Sequence, residues 1–255
     1  MQRQAAPQME TPYMKLPALF RALLASSALS LAGTAALQAA AQSAPPPAAA
    51  MEKTKTLAIV LFPRFETLDV FGPVEMWGRL NDYEIVTVSE HGGAVTSAQG
   101  IDTVVDYAFE DAPQFDILMI PGGMGTRTEV NNPVMLDFLR KQDEGTEYTT
   151  SVCTGAAVLA KAGLLDGRKA TSNKMAWTFV TSQDGDVIWQ PSARWVEDGK
   201  YVTSSGISAG IDMALALIED LEGREKAENV AKVAEYIWND DPSDDPFAVE
   251  AAGTN

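Results

Sequence analysis

Two hydrophobic patterns alternate along the chain from residue 55 onward. Short, continuous apolar runs such as 55–62 and 115–123 are typical of strands buried on both faces of a parallel sheet. Between such runs lie segments such as 132–142, in which apolar residues recur at helical spacing. This alternation predicts an α/β fold that is doubly wound, with a mostly parallel sheet sandwiched by helices.

The same patterns predict the individual elements. Strands are expected at 55–62, 83–90, 115–123, 146–152 and 168–172, and hairpins at 92–109 and 186–206. Helices are expected at 72–80 (with Pro73 in its first turn), 132–142, 154–165, 207–223 and 224–238. The last helix is expected to bury one face, formed by Ala227, Val230, Ala231, Ala234 and Ile237.

The first fifty residues differ in composition from the rest. From Met14 onward, two basic residues precede a Leu/Ala-rich run and then small residues, which is the layout of a secretory signal peptide. A transmembrane anchor is the alternative, but the run at 22–41 is only weakly hydrophobic. We therefore expect an exported, periplasmic protein in three parts. They are an N-terminal extension with a Pro/Ala linker (1–50), an α/β domain (51–240) and a loose acidic tail (241–255).

Charge and composition narrow the possible partners. A formal net charge of −16 disfavours binding to nucleic acid, whose phosphates it would repel. With 1 cysteine and 1 histidine, the chain lacks the residues for an internal disulfide or a zinc site. Neither a metal nor a cofactor is expected, and the expected ligand is a small molecule.

Cys153, the only cysteine, stands where a predicted strand meets a predicted helix. Ligands of such folds bind beyond the carboxyl ends of the strands, where the turn at Gly122 and Gly123 also lies. A helix N-terminus favours the thiolate form, and the N–H groups of Gly123 and Thr154 would be free to stabilise a developing negative charge. The alternative is a packed core cysteine, and the pattern alone favours neither.

Four segments together resemble the ThiJ/PfpI family of the class I glutamine amidotransferase-like superfamily. They read FPRFETLDVFGPVEMW, FDILMIPGGMG, SVCTGAAVLAKAGLLDGRKATSN and SSGISAGIDMALALIEDLEG. The resemblance extends from about residue 55 to 238, and within the family it is greatest to the isonitrile hydratase branch. It implies a flavodoxin-like fold, a homodimer and a reactive cysteine.

By that resemblance, Cys153 corresponds to the nucleophile and Asp69 to the acidic residue beside it, with Thr154 as the group that positions water or the intermediate. Gly123 and Thr154 would supply oxyanion-type backbone amides, and Gly122 and Asn173 would contact substrate. From the residues alone, Asp69 is more simply a residue that caps or precedes the helix at Pro73.

One departure from the family is informative. Many members carry a histidine twenty positions after the cysteine, where this chain has Asn173. Its single histidine, His91, falls in a predicted exposed turn. A cysteine peptidase or glutaminase needs a base that returns a proton to the leaving amine, so those activities are disfavoured.

Three functions stay open. The first is a cysteine-dependent hydratase or lyase like isonitrile hydratase, with Asp69 as acid/base. The second is a redox- or electrophile-responsive protein in which Cys153 is oxidised. The third is a non-catalytic small-molecule binding module, and glyoxalase-like activity is less favoured. The residues that could line a pocket, or simply fill the core, are Met76, Trp77, Met124, Met175, Trp177 and Phe179.

Overall fold

The structure, a computed structural model, describes residues 55–183 and 185–248. The predicted signal peptide and linker, and residues 249–255 of the predicted tail, lie outside the described residues. None of the helices within the described ranges combines the length and apolar character that crossing a bilayer requires.

A seven-stranded sheet occupies the centre of the domain. Its order is β10-β11-β7-β6-β1-β2-β5, and all neighbours are parallel except the antiparallel β10 and β11. Two small sheets pair β3 with β4 and β8 with β9. The strands are β1 (Lys55–Val60), β2 (Tyr83–Ser89), β3 (Ala94–Thr96), β4 (Asp102–Val104), β5 (Tyr107–Ala108), β6 (Ile117–Ile120), β7 (Tyr148–Val152), β8 (Lys169–Ala170), β9 (Ile188–Trp189), β10 (Trp195–Asp198) and β11 (Tyr201–Ser204).

Helices flank this sheet, which confirms the predicted fold class. One group is formed by α6 packing against α1 and α7, and another by α4 packing against α2, α3 and α5. The central strands β1 and β6 are buried almost throughout, as their continuous apolar runs predicted. The helices are α1 (Thr67–Trp77), α2 (Thr126–Glu129), α3 (Pro133–Asp143), α4 (Gly155–Lys161), α5 (Trp177–Thr181), α6 (Ala209–Glu222) and α7 (Arg224–Val233).

The first helix begins earlier than the sequence predicted. It starts at Thr67 instead of Gly72, so Pro73 lies inside the helix and not in its first turn. Pro73 has no N–H to donate to the carbonyl of Asp69, and the helix tolerates the loss of that one bond. The consequence is functional, because Asp69 falls in the first turn of α1 and not before the helix.

The last helix ends earlier than predicted. α7 stops at Val233, and Glu235 adopts a left-handed backbone with φ of 52°. Ala227, Val230 and Ala231 are buried as expected. Ile237 is 93% exposed, so its assignment to the buried face is wrong.

The beginning of the predicted acidic tail differs from the expected loose segment. Within residues 241–248, the carbonyl of Pro242 accepts a hydrogen bond from the Arg194 N–H at 2.8 Å. Asp245 is buried and lies 3.6 Å from Lys174 Nζ and 3.9 Å from Arg194 Nη1. These two buried cations explain why an acidic segment docks on an acidic protein.

Candidate active site

Cys153 occupies a tight turn between β7 and α4, as predicted. Its φ of 58° lies in the left-handed region, which residues other than glycine rarely adopt. The Cys153 N–H points at the carbonyls of Ser204 and Ser205, both at 3.2 Å, and its own carbonyl accepts from Ser172 Oγ at 2.7 Å. The surrounding strands and loops therefore hold the cysteine in a strained conformation.

Two glycines allow the turns around Cys153 to approach one another. A Cβ at Gly155 would collide with the carbonyl oxygen of Ile120 at the end of β6. A Cβ at Gly122 would lie 2.5 Å from Thr154 N and 2.8 Å from Asp69 Oδ2. The turn after β6, the turn after β7 and the first turn of α1 thus meet at one point.

Asp69 projects from α1 into this point and is fully buried. Its Oδ2 accepts a hydrogen bond from the Gly122 N–H at 2.8 Å, while Oδ1 has no hydrogen-bond partner among the described residues. Burial, with a smaller contribution from the charge of Glu66, raises the pKa of Asp69 from 3.8 to about 8. The carboxyl group therefore keeps its proton at neutral pH.

The Cys153 thiol is also buried, with 5% of the residue exposed. Burial raises the pKa of the Cys153 thiol well above its ordinary value, and Asp69 raises it further. The Thr154 N–H and the Asn173 side chain interact with the sulfur and act in the opposite direction. The predicted preference for thiolate at the helix N-terminus is thus outweighed by burial, and the resting group is a neutral thiol.

Thr154 and Gly123 lie at the site but bond to each other. The Gly123 N–H donates to Thr154 Oγ1 at 3.0 Å, and Thr126 Oγ1 donates to the same oxygen at 3.1 Å. The Gly123 amide is therefore engaged and not free to stabilise an oxyanion, contrary to the prediction. The Thr154 N–H, which interacts with the sulfur, is the part of Thr154 that reaches Cys153.

Asn173, the residue that stands where many family members have a histidine, lies beside the sulfur. Its Oδ1 accepts a hydrogen bond from the Ala176 N–H at 2.9 Å, which directs Nδ2 away from that bond. A Cβ at Gly206 would collide with Asn173 Nδ2 and lie 2.9 Å from Cys153 Sγ. Asn173 and Gly206 therefore both border the thiol.

These two residues also line a pocket of about 530 Å³. Its walls are mainly apolar. Cys153 is not among the residues that line it, but the sulfur adjoins Asn173 and Gly206, which are. Of the six apolar candidates from the sequence, Met175 lines this pocket, whereas Met76 and Trp77 are core residues. The residues that line the pocket are Glu66, Leu68, Asn173, Lys174, Met175, Gly206, Ile207, Ser208, Phe247 and Ala248.

The strained strand–helix turn of Cys153 and the buried Asp69 both lie in the part of the chain that matches a known protein family. The model of the DJ-1/PfpI family matches residues 55–220. This chain belongs to the DJ-1/PfpI family.

Named relatives of this DJ-1/PfpI chain differ in function. Isonitrile hydratase from Pseudomonas putida is 36% identical over 180 residues, covering 71% of this chain and 78% of that protein. The HTH-type transcriptional regulator CdhR from Pseudomonas aeruginosa is 32% identical, covering 59% of this chain and 44% of the regulator. A crystal structure of a ThiJ/PfpI family protein from Pseudomonas syringae superimposes with a TM-score of 0.64 at 28% identity, covering 84% of this chain and 87% of that one.

The single histidine of this DJ-1/PfpI protein lies where the sequence predicted, in an exposed turn. Its side chain is 86% exposed and its Nε2 is 3.5 Å from Glu90 Oε1. Among the described residues, no group of three or more His, Cys, Asp or Glu side chains is placed to hold a metal ion. The ionisable groups at the site are therefore the Cys153 thiol and the Asp69 carboxyl, with Glu66 and Lys174 on the pocket wall.

Sequence reasoning missed much of the pocket wall. Leu68, Ile207 and Phe247 line it, although nothing in their local sequence indicates exposure to a ligand. Leu68 lies in the first turn of α1 and Ile207 just before α6, where an apolar residue normally suggests core. Phe247 lies in a segment whose composition predicted a solvated tail.

Proposed function

We propose that this DJ-1/PfpI protein is a cysteine-dependent hydratase that adds water to a small organic isonitrile through a covalent adduct on Cys153. The observation that carries the proposal is the buried carboxyl of Asp69, whose pKa of about 8 keeps it protonated beside Cys153. At neutral pH the pair holds one proton on sulfur and one on the carboxyl. An isonitrile carbon accepts both a nucleophile and a proton, and the thiol and the protonated carboxyl can supply both.

In the first step, the Cys153 sulfur forms a bond to the isonitrile carbon. Asp69 delivers its proton to that same carbon, and the proton of the thiol replaces it on the carboxyl. The product is a thioimidate, Cys–S–CH=N–R, and no group leaves. The unpartnered Asp69 Oδ1 is the oxygen available for this exchange.

In the second step, water adds to the thioimidate carbon. The nitrogen receives one proton of that water, which gives a tetrahedral carbon bearing sulfur, hydroxyl and amine. The C–S bond then breaks, the carbonyl forms as the hydroxyl gives up its proton, and sulfur regains a proton through Asp69. The products are an N-substituted formamide and the free thiol, so atoms and protons balance.

Neighbouring groups support these steps without transferring protons. The Thr154 N–H, which interacts with the sulfur, stabilises negative charge on it as the S–C bond forms and breaks. Asn173 lines the pocket and offers an Nδ2 donor that can bind the substrate nitrogen. An amide cannot take up a proton at neutral pH, so Asn173 does not replace the histidine of a peptidase or glutaminase.

The redox-sensor alternative needs a free Cys153 thiolate, whereas the proposed hydration does not, because Asp69 takes up the thiol proton as the sulfur–carbon bond forms. Oxidation to sulfenic acid proceeds through the thiolate, and burial raises the pKa of Cys153 well above its ordinary value. The likeness to a transcriptional regulator covers only 59% of this chain and 44% of the regulator, so it carries no argument for a regulatory role of this chain.

The direct test is turnover of cyclohexyl isocyanide to N-cyclohexylformamide by the purified protein. Wild type should form the formamide, whereas Cys153→Ala and Asp69→Asn should each lose at least about a hundredfold in kcat/KM. His91→Ala is the matched control, because His91 is exposed and lies outside the pocket, and it should retain full activity. Full activity of Cys153→Ala, or stable oxidation of Cys153 by peroxide with no consumption of isocyanide, would refute the hydratase.

A further inference from the structure

The segment of residues 239–248, here called the C-terminal segment, packs over one side of the active-site pocket. It lies beyond residue 220, where the match to the DJ-1/PfpI family model ends. Phe247 and Ala248 line the pocket together with Asn173 and Gly206, the two residues that border Cys153. The pocket of this chain thus has a wall that lies outside the matched part of the family fold.

The C-terminal segment is held in place by buried charge. The Asp245 carboxylate is completely buried and lies 3.6 Å from Lys174 Nζ and 3.9 Å from Arg194 Nη1. Lys174 also donates to Thr171 Oγ1 at 2.6 Å and to the Ala193 carbonyl at 2.8 Å. Because Lys174 follows Asn173 directly, the anchor of the segment sits one residue from a group that borders the sulfur.

Asp245 also fixes the position of the aromatic ring. Its Oδ1 accepts a hydrogen bond from the Phe247 N–H at 3.0 Å, and its carbonyl accepts from the Ala248 N–H at 2.9 Å. These bonds close a turn that presents Phe247 to the pocket. The Phe247 residue is 64% exposed, so its ring is not needed to fill the core.

Other residues that line the pocket are apolar as well. Leu68, Met175 and Ile207 line it, and all three are partly or largely exposed. The ring of Phe247 therefore lines a space that an apolar substituent of the substrate can fill. The reactive carbon of the substrate would then point toward Cys153. Removing or enlarging this ring changes the space in the pocket that Asn173 and Gly206 also line, without changing Cys153 itself.

We propose that Phe247 is a specificity-determining residue, which sets the size of the apolar substituent admitted to Cys153, and that Asp245 positions it. This inference rests on the proposed function in that it takes Cys153 as the reacting group. Isonitriles with bulky substituents are the substrates that this wall would select against.

The test measures access to Cys153 separately from turnover. Because Cys153 is the only cysteine, the rates of its alkylation by iodoacetamide and by the bulkier N-benzylmaleimide can be compared directly. Phe247→Ala should raise the maleimide rate relative to the iodoacetamide rate by about tenfold, and Phe247→Trp should lower it. Asp245→Asn should shift the ratio in the same direction as Phe247→Ala.

Ile237→Ala is the matched control, since Ile237 is exposed and does not line the pocket. It should leave the alkylation ratio unchanged. The Phe247 and Asp245 variants should shift the relative kcat/KM for tert-butyl and methyl isocyanide in parallel with the alkylation ratio.

An unchanged alkylation ratio in both Phe247 variants overturns the proposal, and an unchanged ratio in Asp245→Asn alone overturns the role of Asp245. If the ratio shifts but no isocyanide is consumed, the wall is confirmed and the proposed function fails.

Discussion

Among the single residues of the site, Asp69 matters most, because the proposed reaction requires its carboxyl group to hold a proton. Asp69 is buried with one oxygen bonded to Gly122 N–H and the other unpartnered among the described residues. Water would solvate a carboxylate far better than this environment does, so the acid form is favoured. A protonated acid beside a thiol is suited to addition reactions, in which a proton must be supplied and no amine must leave.

The pKa of Asp69 predicts a specific dependence of stability on pH. The folded-state pKa of about 8 is above the ordinary 3.8, so between these values the folded protein holds a proton that the unfolded chain has released. The free energy of unfolding should therefore fall as pH rises through this window, by at most about 1.4 kcal/mol per pH unit from this group. Asp69→Asn cannot ionise and should be spared this loss.

Urea unfolding of wild type and Asp69→Asn at several pH values between about 5 and 9 measures the effect. The stability of the variant relative to wild type should grow with pH and level off above about pH 8. The exposed residue Asp137 provides the control, because Asp137→Asn should show no such growing difference. A pH-independent difference for Asp69→Asn would mean that the Asp69 carboxyl is ionised in the folded protein.

At the scale of elements, the site is the meeting point of three turns. The turns at Gly122 and Cys153 could be predicted from sequence, because glycines at the ends of buried strands are local signals. The start of α1 could not, because Pro73 is equally typical of a first helical turn. The nearness of Asp69 to Cys153 depends on packing between distant segments and came from the resemblance alone.

Close packing of these turns predicts a large effect of one methyl group. A side chain at Gly155 would collide with the Ile120 carbonyl oxygen, which belongs to rigid backbone. Gly155→Ala should lower the free energy of unfolding by at least about 2 kcal/mol, since the turn and strand β6 must separate. Thermal and urea unfolding measure this loss.

Gly185→Ala is the matched control, because among the described residues, its chain neighbours apart, no atom lies within 4 Å of a Cβ at that position. Its stability should stay within about 0.5 kcal/mol of wild type. Equal stability of Gly155→Ala and Gly185→Ala would show that the turns are not packed as closely as the structure indicates.

At the scale of the whole domain, buried charges connect parts of the chain that are far apart in sequence. Arg194 donates from Nε to Asp212 Oδ2 on α6 at 2.7 Å and also faces Asp245. Asp212 further accepts from Tyr236 Oη at 2.9 Å and from the Asn239 N–H at 3.0 Å. The central sheet could be predicted from hydrophobic periodicity, but this network could not, because its partners share no local pattern.

Removing the shared cation should destabilise the domain. Arg194→Met leaves the carboxylates of Asp212 and Asp245 buried without that partner, and the free energy of unfolding should fall by about 3–5 kcal/mol. Arg79→Met is the control, because Arg79 pairs with Glu75 at the surface and should contribute less than about 1 kcal/mol. Similar urea midpoints for both variants would contradict a structural role for the buried network.

In the proposed reaction, the isonitrile carbon becomes bonded to Cys153 and receives a proton from the Cys153–Asp69 pair. Rapid acid quenching of the protein with cyclohexyl isocyanide, followed by peptide mass spectrometry, tests it directly. The expected result is a mass increase of one isocyanide on the peptide that contains Cys153, and formamide whose formyl position carries deuterium when the reaction runs in D2O. Formamide production without any Cys153 adduct, or an adduct on another residue, would contradict it.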